Sequence, residues 1–363
     1  MTGKLLILAL AALSSMLVVT GATFAQDESS SGAAKDTSPA YVKMSTTAGD
    51  VIIELNREKA PITVKNFIDY VEAEFYNGTI FHRIVPNFVI QGGGFTVDMV
   101  KKDTRAGIEN EWNNGLKNTR GTLSMARTND PNSATSQFFV NLVDNAPLDM
   151  ARPQTGGAAY AVFGEVIYGM DVVDAIAAVK TSNARTADGG QMANVPTEAQ
   201  IIESAEVITA AQAQEYKDLA IAARKAAQQA QVDKGLEILK KKDVDVEKSV
   251  VTDSGLCYIV AADGQGASPT IDDTITFHYT LWLTNGTMLQ TSRGDENTPG
   301  NPLTYPLKQL IGGWQEVVPQ MKIGEKRWLI VPSDLGYGSR ARRGIPANST
   351  LVFELELVSI EGT

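Results

Sequence analysis

The sequence predicts a mainly β protein with some α-helix, built as two domains joined by a helical linker. Short apolar runs that alternate like strands, separated by turns containing Gly and Asn, occur before residue 209 and again after residue 250. Between them, residues 210–249 begin with a stretch rich in Ala, Gln, Lys and Glu, which are strong helix formers. A chain of 363 residues has the length of two or three domains with separate cores.

The composition excludes several function classes. A net charge of −10 argues against a nucleic-acid partner, because phosphates attract basic surfaces. Cys257 is the only cysteine, so no disulfide forms within the chain, and we expect it to be a small buried hydrophobe. With His82 and His278 as the only histidines, the sequence predicts no metal site.

Residues 1–25 have the pattern of a signal peptide. Lys4 precedes an apolar core from Leu5 to Val19, and Ala25 ends a small-residue cleavage site. We expect cleavage after Ala25, no lipid anchor and no membrane association afterwards, which places the protein in the periplasm of a Gram-negative cell or outside the cell. The alternative, a buried N-terminal helix, is disfavoured by the polar leader at 26–39, which is typical of a flexible segment.

The first domain is predicted to span residues 40–209. Tyr41–Ser45 and Val51–Leu55 form a hairpin, and Pro61 begins a helix. A second helix is expected near 171–179 and a last strand near 205–208. Many short strands with two helices predict a closed antiparallel β-barrel capped by the helices. The core face of the first helix is given by its apolar spacing: Val64, Phe67, Ile68, Val71 and Phe75.

The linker, residues 210–249, is predicted to be helical. As one helix from Ala210 to Lys242 it would span about 48 Å, and the alternative is two helices divided at Gly235. Its large apolar positions are few, which favours a solvated spacer over a dimerisation helix. They are Tyr216, Leu219, Val232, Leu236 and Leu239.

The second domain is predicted to span residues 250–363. Residues 274–283 alternate as a strand, and Asn285-Gly286 is a typical two-residue hairpin turn. Two further strands are expected at 325–331 and 350–360.

Two long motifs in the first domain carry a family resemblance. The stretch from Phe81 to Gly94 is an apolar run interrupted by Arg83 and Gln91, which point to the same side of an extended chain. Downstream, Gly121 to Asn141 reads GTLSMAR, a polar loop, and then SQFFV. Together they resemble the cyclophilin signature, and the resemblance covers about residues 41–209. The sequence of residues 110–149 is most similar to the exported bacterial branch of the cyclophilins.

The second domain resembles the FKBP family. The resemblance covers about residues 250–361 and implies an antiparallel half-barrel sheet wrapped around one short helix, an α+β fold. It rests on motifs in matching order, namely Ser254-Gly255-Leu256, Phe277-His278-Tyr279-Thr280, Gly313-Trp314, Asp334-Leu335-Gly336-Tyr337-Gly338, and Gly344-Ile345-Pro346 through Phe353.

Both resemblances imply a peptidyl-prolyl cis-trans isomerase. Rotation about a peptide bond faces a barrier of about 18–20 kcal/mol because amide resonance is lost. Catalysis needs a pocket for the proline ring and a donor that favours the twisted amide, but no nucleophile, metal or cofactor.

In the first domain we predict that Arg83 is the donor, since its guanidinium stays charged. The resemblance assigns the other roles, although for each apolar residue alone barrel core is the plainer interpretation. Gln91 and Gln137 would orient Arg83 and hold substrate backbone. Tyr160 stands where a histidine is common, and Pro147 stands where a tryptophan usually contacts cyclosporin, so we expect weak cyclosporin binding with catalysis retained. The proline pocket would be Phe88, Val89, Phe139 and Leu148, with Ala126 and Arg127 beside the extended peptide.

In the second domain the resemblance implies Trp314 as the pocket floor and Tyr337 as the hydrogen-bond donor to the substrate carbonyl. Gln290 occupies the usual aspartate position, and Leu289 and Leu303 replace aromatic residues, so we predict lower activity and weak FK506 binding. The walls would be Tyr279, Leu310, Ile311, Ile345 and Phe353.

These expectations combine into an exported isomerase that assists the folding of secreted or periplasmic proteins, with most activity in the first domain. Its partners would be unfolded, proline-containing polypeptides. The alternative is a chaperone in which the second domain captures unfolded chains and isomerises little. A reading in which both domains are inert is the weakest, because Arg83, Gln91, Phe139 and Tyr337 are all present.

Overall fold

The computed structural model describes residues 36–294, 300–338, 341–342 and 344–361. The predicted signal peptide and most of the predicted leader therefore lie outside the described residues. Within the described ranges, no helix has both the length and the apolar composition needed to cross a membrane.

The first domain holds one curled antiparallel sheet of nine strands and two helices. The strand order is β3-β11-β1-β2-β8-β6-β7-β5-β4, so the edge strands β3 and β4 are also consecutive in the chain. The elements are β1 Ala40–Thr46, β2 Gly49–Leu55, α1 Pro61–Glu72, β3 Thr79–Ile80, β4 Arg83–Val85, β5 Val89–Gly92, β6 Thr122–Met125, β7 Phe138–Asn141, β8 Val162–Tyr168, α2 Met170–Ala177, β9 Thr181–Arg185, β10 Gln191–Pro196 and β11 Ile201–Ile208.

This architecture confirms the predicted fold class. The hydrogen-bonded path runs from β3 to β4, and the two-residue connection Phe81-His82 joins these edges along the chain. The strands β9 and β10, which the sequence did not indicate, form a separate hairpin.

Helix α1 supplies the core of the first domain. Its carboxylate cap is Glu111, which accepts hydrogen bonds from the backbone amides of Ile62 and Thr63 at 3.0 and 2.8 Å. Phe67 on its inner face meets the rings of Phe138 and Phe163 at centroid distances of 5.4 and 5.2 Å. The sequence periodicity therefore predicted four buried positions correctly, Val64, Phe67, Ile68 and Val71, but Phe75 lies beyond the end of the helix at Glu72 and is only partly buried.

Helix α3, Ala210–Lys240, is continuous through Gly235. Thr209 and Gln212 form a capping box at its start. Glycine at position 235 allows a close helix–sheet approach, because a Cβ there would lie 2.7 Å from the Ile330 side chain.

Both ends of α3 are packed. Ala213 and Tyr216 pack with Ile52 and Ile208 of the first domain. Val232 and its neighbours near the other end join a second cluster, which contains Val232, Leu236, Leu239, Cys257, Ile259, Trp282, Trp328, Ile330 and Val352. The predicted solvated spacer is therefore packed along one face at each end, while the rest of the helix is largely exposed.

The second domain is an antiparallel sheet around a short helix, as predicted. The strand order is β12-β13-β17-β18-β14-β15, and β16 also pairs with β14. One face packs on α4, where Trp314 and Val317 are buried, and the other face receives α3. The elements are β12 Val250–Val251, β13 Cys257–Ala262, β14 Thr274–Leu283, β15 Met288–Thr291, β16 Leu303–Pro306, α4 Gly312–Val317, β17 Lys326–Val331 and β18 Leu351–Ile360.

Cys257 is the small buried hydrophobe that the sequence predicts. It lies beneath α3, and burial raises the pKa of its thiol to about 11. A protonated, inaccessible thiol is a poor nucleophile, so this cysteine contributes packing.

Two candidate active sites

The first domain has a cleft of about 170 Å³ at the β4–β5 side of its sheet. All but one of the first-domain residues predicted for the site line this cleft. Gln137 is the exception, and it stands behind Gln91. The lining residues are Arg83, Phe88, Val89, Gln91, Ala126, Arg127, Phe139, Leu148 and Tyr160.

The guanidinium of Arg83 is held by a chain of two amides. The predicted extended chain from Arg83 to Gln91 is wrong, because a turn separates β4 from β5. Arg83 on β4 instead lies directly opposite Gln91 on β5 in the antiparallel register. Its Nη1 donates to Gln91 Oε1 at 3.4 Å, and Gln91 Nε2 donates to Gln137 Oε1 at 3.0 Å. The contact to Arg83 is long and involves one N–H, so the guanidinium keeps most of its donors for a substrate.

The side chain of His82, next to Arg83 in the chain, is buried and uncharged. Its ring packs on Phe95 with a centroid distance of 4.7 Å and is only 2% exposed. Burial, with the nearby charge of Arg83 as a smaller cause, lowers the pKa of His82 to about 4. The imidazole is therefore uncharged near neutral pH and does not compete with Arg83 as the cation of the cleft.

The apolar wall comes from two segments. Phe139 on β7 is paired with Gln91 and only 5% exposed, and its ring meets Tyr160 edge-on at 5.6 Å. Leu148 belongs to a single 3₁₀ turn, Ala146–Asp149, and its carbonyl accepts from the Tyr160 amide at 3.1 Å. The same turn contains Pro147, which does not line the cleft. A proline ring fits this pocket, because the pocket offers apolar contacts and the ring has no polar group that needs a hydrogen-bond partner.

The polar loop after β6 supplies the remaining wall. The Ala126 amide donates to the Gln137 carbonyl at 2.9 Å, which fixes Ala126 beside the Gln91–Gln137 pair. The guanidinium of Arg127 lies 4.7 Å from the ring centroid of Tyr160. The cleft therefore contains a second cation in addition to Arg83.

The second domain has a larger cleft of about 290 Å³, built largely from rings. Trp314 forms its floor and is 4% exposed, with edge-on contacts to Phe277 at 4.9 Å and Phe353 at 5.3 Å. The lining residues are Phe277, Tyr279, Leu281, Gln290, Leu303, Tyr305, Gln309, Leu310, Ile311, Trp314, Tyr337 and Phe353.

Most of the residues predicted for this cleft line it, but Leu289 and Ile345 do not. Ile345 belongs to the adjoining hydrophobic core and is 8% exposed, whereas Leu289 is partly buried and packs against that core. The sequence analysis missed Phe277 and Leu281, although both share the alternating face of Tyr279 on β14 and could have been found from that period. It also missed Tyr305 and Gln309, for which the sequence offers no comparable pattern.

The polar groups of the second cleft are neutral. Burial, together with the neighbouring phenols of Tyr337 and Tyr305, raises the pKa of Tyr279 to about 12, so its hydroxyl remains protonated. Gln290 on β15 lies opposite Leu281 and presents an amide. The buried indole N–H of Trp314 has no partner in the described part of the chain. The cleft thus offers several neutral donors and, among its lining residues, no charge.

Comparisons with known proteins agree with both halves of this description. Residues 41–207 match the family model described as cyclophilin type peptidyl-prolyl cis-trans isomerase/CLD, and residues 266–358 match FKBP-type peptidyl-prolyl cis-trans isomerase.

Three curated proteins illustrate the similarity. Peptidyl-prolyl cis-trans isomerase A of Dickeya dadantii is 50% identical over 172 residues, covering 47% of this chain and 86% of that protein. A peptidyl-prolyl cis-trans isomerase of Acinetobacter baylyi is 61% identical over 141 residues, covering 39% of this chain and 73% of that protein. FKBP-type peptidyl-prolyl cis-trans isomerase FkpA of Aeromonas hydrophila is 44% identical over 110 residues, which covers 30% of this chain but only 40% of that protein.

Proposed function

Because this chain belongs to the cyclophilin-type peptidyl-prolyl cis-trans isomerase family and adds an FKBP-type domain, we propose that it assists the folding of exported proteins. Its reaction is the cis-trans isomerisation of proline-containing peptides. We further propose that the first domain carries most of the activity. The observation that supports this division is the position of the Arg83 guanidinium, which donates to Gln91 at 3.4 Å and lies beside the apolar pocket of Phe139 and Leu148.

The geometry of the first cleft suits the reaction. The pocket holds the proline ring, while the rest of the peptide turns about the C–N bond. In the twisted state the prolyl nitrogen lone pair leaves conjugation and becomes an acceptor, which a guanidinium N–H stabilises more strongly than it stabilises the planar amide. Turnover near about 10³ per second requires a barrier about 7 kcal/mol below the uncatalysed one.

The test is isomerisation of an Xaa-Pro peptide and refolding of a proline-limited protein by the mature full-length chain and by its Arg83→Ala variant. We expect the variant to lose most of both activities. Full activity in Arg83→Ala would reverse the division of roles between the domains.

Export is proposed from the predicted signal peptide. The mature protein would begin at Gln26 and reside in the periplasm or outside the cell. Cell fractionation followed by N-terminal sequencing tests this, and an uncleaved cytoplasmic product would contradict it.

A second candidate role for the FKBP-type domain is capture of unfolded chains. Its cleft is the larger of the two, and its lining is rich in rings and lacks a cation. Tethering would then raise the effective concentration of a client at the first domain without new contacts. In the Arg83→Ala background, binding of a permanently unfolded proline-containing protein without peptide isomerisation would support this role.

The two clefts also lead to proposals about drugs. We expect weak cyclosporin binding, because Pro147 replaces a tryptophan of the family pattern, and weak FK506 binding, because Gln290 and Leu303 replace an aspartate and an aromatic residue. Calorimetric titration of the full-length chain tests both. A nanomolar Kd for either drug would contradict the corresponding expectation.

We also propose a homodimer through α3. Of the large apolar residues in this helix, Leu219 and Ile221 are 55% and 52% exposed, whereas Val232 and Leu239 are already buried against the second domain. Such a dimer would therefore use the middle of α3. Sedimentation of the chain and of a Leu219→Gln/Ile221→Gln variant distinguishes the states.

A further inference from the structure

The cleft of the first domain contains two arginines and, among its described lining residues, no carboxylate. Arg83 contacts only the amide of Gln91, and Arg127 contacts only carbonyls and a ring, so neither guanidinium has an anionic partner in the described parts of the chain. This is a local reversal of sign in a chain whose net charge is −10. An anionic group on a substrate would therefore be attracted to this cleft, although the net negative charge of the whole protein repels it.

Arg127 is held rigidly at the rim of the proline pocket. Its Nη2 donates to the carbonyls of Ala158 and Ala159 at 2.6 and 3.0 Å, and its Nη1 donates to the Thr128 carbonyl at 2.9 Å. A guanidinium has five N–H groups, so one N–H on Nη1 remains, together with the buried Nε, which has no partner in the described residues. The side chain therefore retains its full charge and one donor on its outer nitrogen.

The position of Arg127 defines which part of a substrate it would meet. The ring of Phe139, in the proline pocket, contacts Tyr160 at 5.6 Å, and the Arg127 guanidinium lies 4.7 Å from that same Tyr160 ring. The Arg127 guanidinium therefore lies at most about 10 Å from the Phe139 ring, the sum of these two distances. One residue step of an extended chain, about 3.3–3.6 Å, together with the length of a glutamate side chain brings the carboxylate of a residue next to the proline within its reach.

We propose that Arg127 is a specificity-determining residue that makes the first cleft prefer a glutamate or aspartate directly beside the proline. The inference rests on the isomerase function of this cleft. It gives Arg127 a different task from Arg83, because the interaction forms equally with the planar and the twisted amide and therefore acts on substrate choice.

The experiment measures kcat/KM for two peptide series in which Glu, Gln or Lys stands before or after the proline. The full-length chain is compared with Arg127→Gln, Arg127→Lys and the matched control Arg152→Gln, which removes an exposed charge outside the cleft lining. In the wild type we expect Glu over Gln by about three- to fivefold in one series, as for a solvent-accessible ion pair. We expect a ratio near one in Arg127→Gln, an intermediate ratio in Arg127→Lys and the wild-type ratio in Arg152→Gln.

Each ratio is taken within one variant, so a general loss of activity cancels, and turnover of the Gln peptide reports the isomerase activity itself. Raising the salt to about 0.5 M should shrink the wild-type preference, which tests the proposal without a substitution. Equal turnover of Glu and Gln peptides in both series would overturn the inference. So would a preference that survives Arg127→Gln or is independent of salt.

Discussion

The two clefts lie in domains that match different isomerase families, and their lining differs in chemistry. The first is small, about 170 Å³, and places the guanidinium of Arg83 beside a few apolar side chains. The second is larger, about 290 Å³, and surrounds Trp314 with rings and neutral donors such as Tyr279 and Gln290. A charged donor stabilises a developing lone pair more strongly than a neutral one does, whereas rings supply contact area. This difference is the basis of the proposal that the first cleft carries most of the catalysis and the second mainly binds the substrate.

The largest expected difference between the two clefts is tested by one substitution in each, made in the full-length chain. Arg83→Ala should lower kcat/KM for an Xaa-Pro peptide by about 10²- to 10³-fold, since one preorganised donor is lost. Tyr337→Phe should lower it by less than about twofold, because little of the activity passes through the second cleft. Similar losses from both substitutions would mean that the two clefts contribute alike.

The pH dependence of stability should also differ between the domains. The pKa of His82 falls from 6.5 to about 4 on burial, so between these values the unfolded chain binds more protons than the folded domain. The stability linked to His82 is therefore complete above about pH 6.5 and is lost as the pH falls toward 4, by roughly 3 kcal/mol in total.

Hydrogen exchange of first-domain peptides, measured between pH 7 and pH 4, tests this expectation. Comparison with His82→Gln isolates the histidine, because carboxylates titrate alike in both chains. If both chains lost stability equally across this range, the buried neutral histidine would not be the cause.

The close approach of α3 to the sheet at Gly235 should affect the stability of the second domain only. A Cβ at position 235 would lie 2.7 Å from the Ile330 side chain, so Gly235→Ala should strain the helix–sheet contact by about 1–3 kcal/mol. The gain in helix propensity is about 1 kcal/mol, which leaves a net loss of about 1 kcal/mol. Urea unfolding followed by the fluorescence of the second-domain tryptophans reports this loss, and a stabilised variant would show that α3 does not press on the sheet.

The smallest expected effect is a gain of activity in the second cleft when Gln290 is replaced. In the Arg83→Ala background, Gln290→Asp should raise the remaining isomerase activity a few fold, because a carboxylate offers a charge-assisted hydrogen bond in the ring-lined cleft. Gln290→Asn is the matched control and should change little. No gain from the aspartate would place the weakness of the second cleft in its missing rings instead.

The sequence by itself determined the two families, the order of the domains and most of each cleft. Long motifs carry this information, because their residues match each family in the same order along the chain. The pairing of Arg83 with Gln91 across β4 and β5 was visible only in the structure. The alternating pattern of β14 likewise contained Phe277 and Leu281, had it been followed on both sides of Tyr279.

Only the tertiary structure decided what depends on contacts between distant segments. It showed that Gly235 is a site of close packing on Ile330 and not a break in the helix. It placed Arg127 over Tyr160 without a carboxylate partner in the described residues. It also placed Ile345 in the core and Leu289 against the core, and neither lines the cleft. The physical reason is that a side chain's charge environment and burial are set by its neighbours in space, which local sequence patterns do not specify.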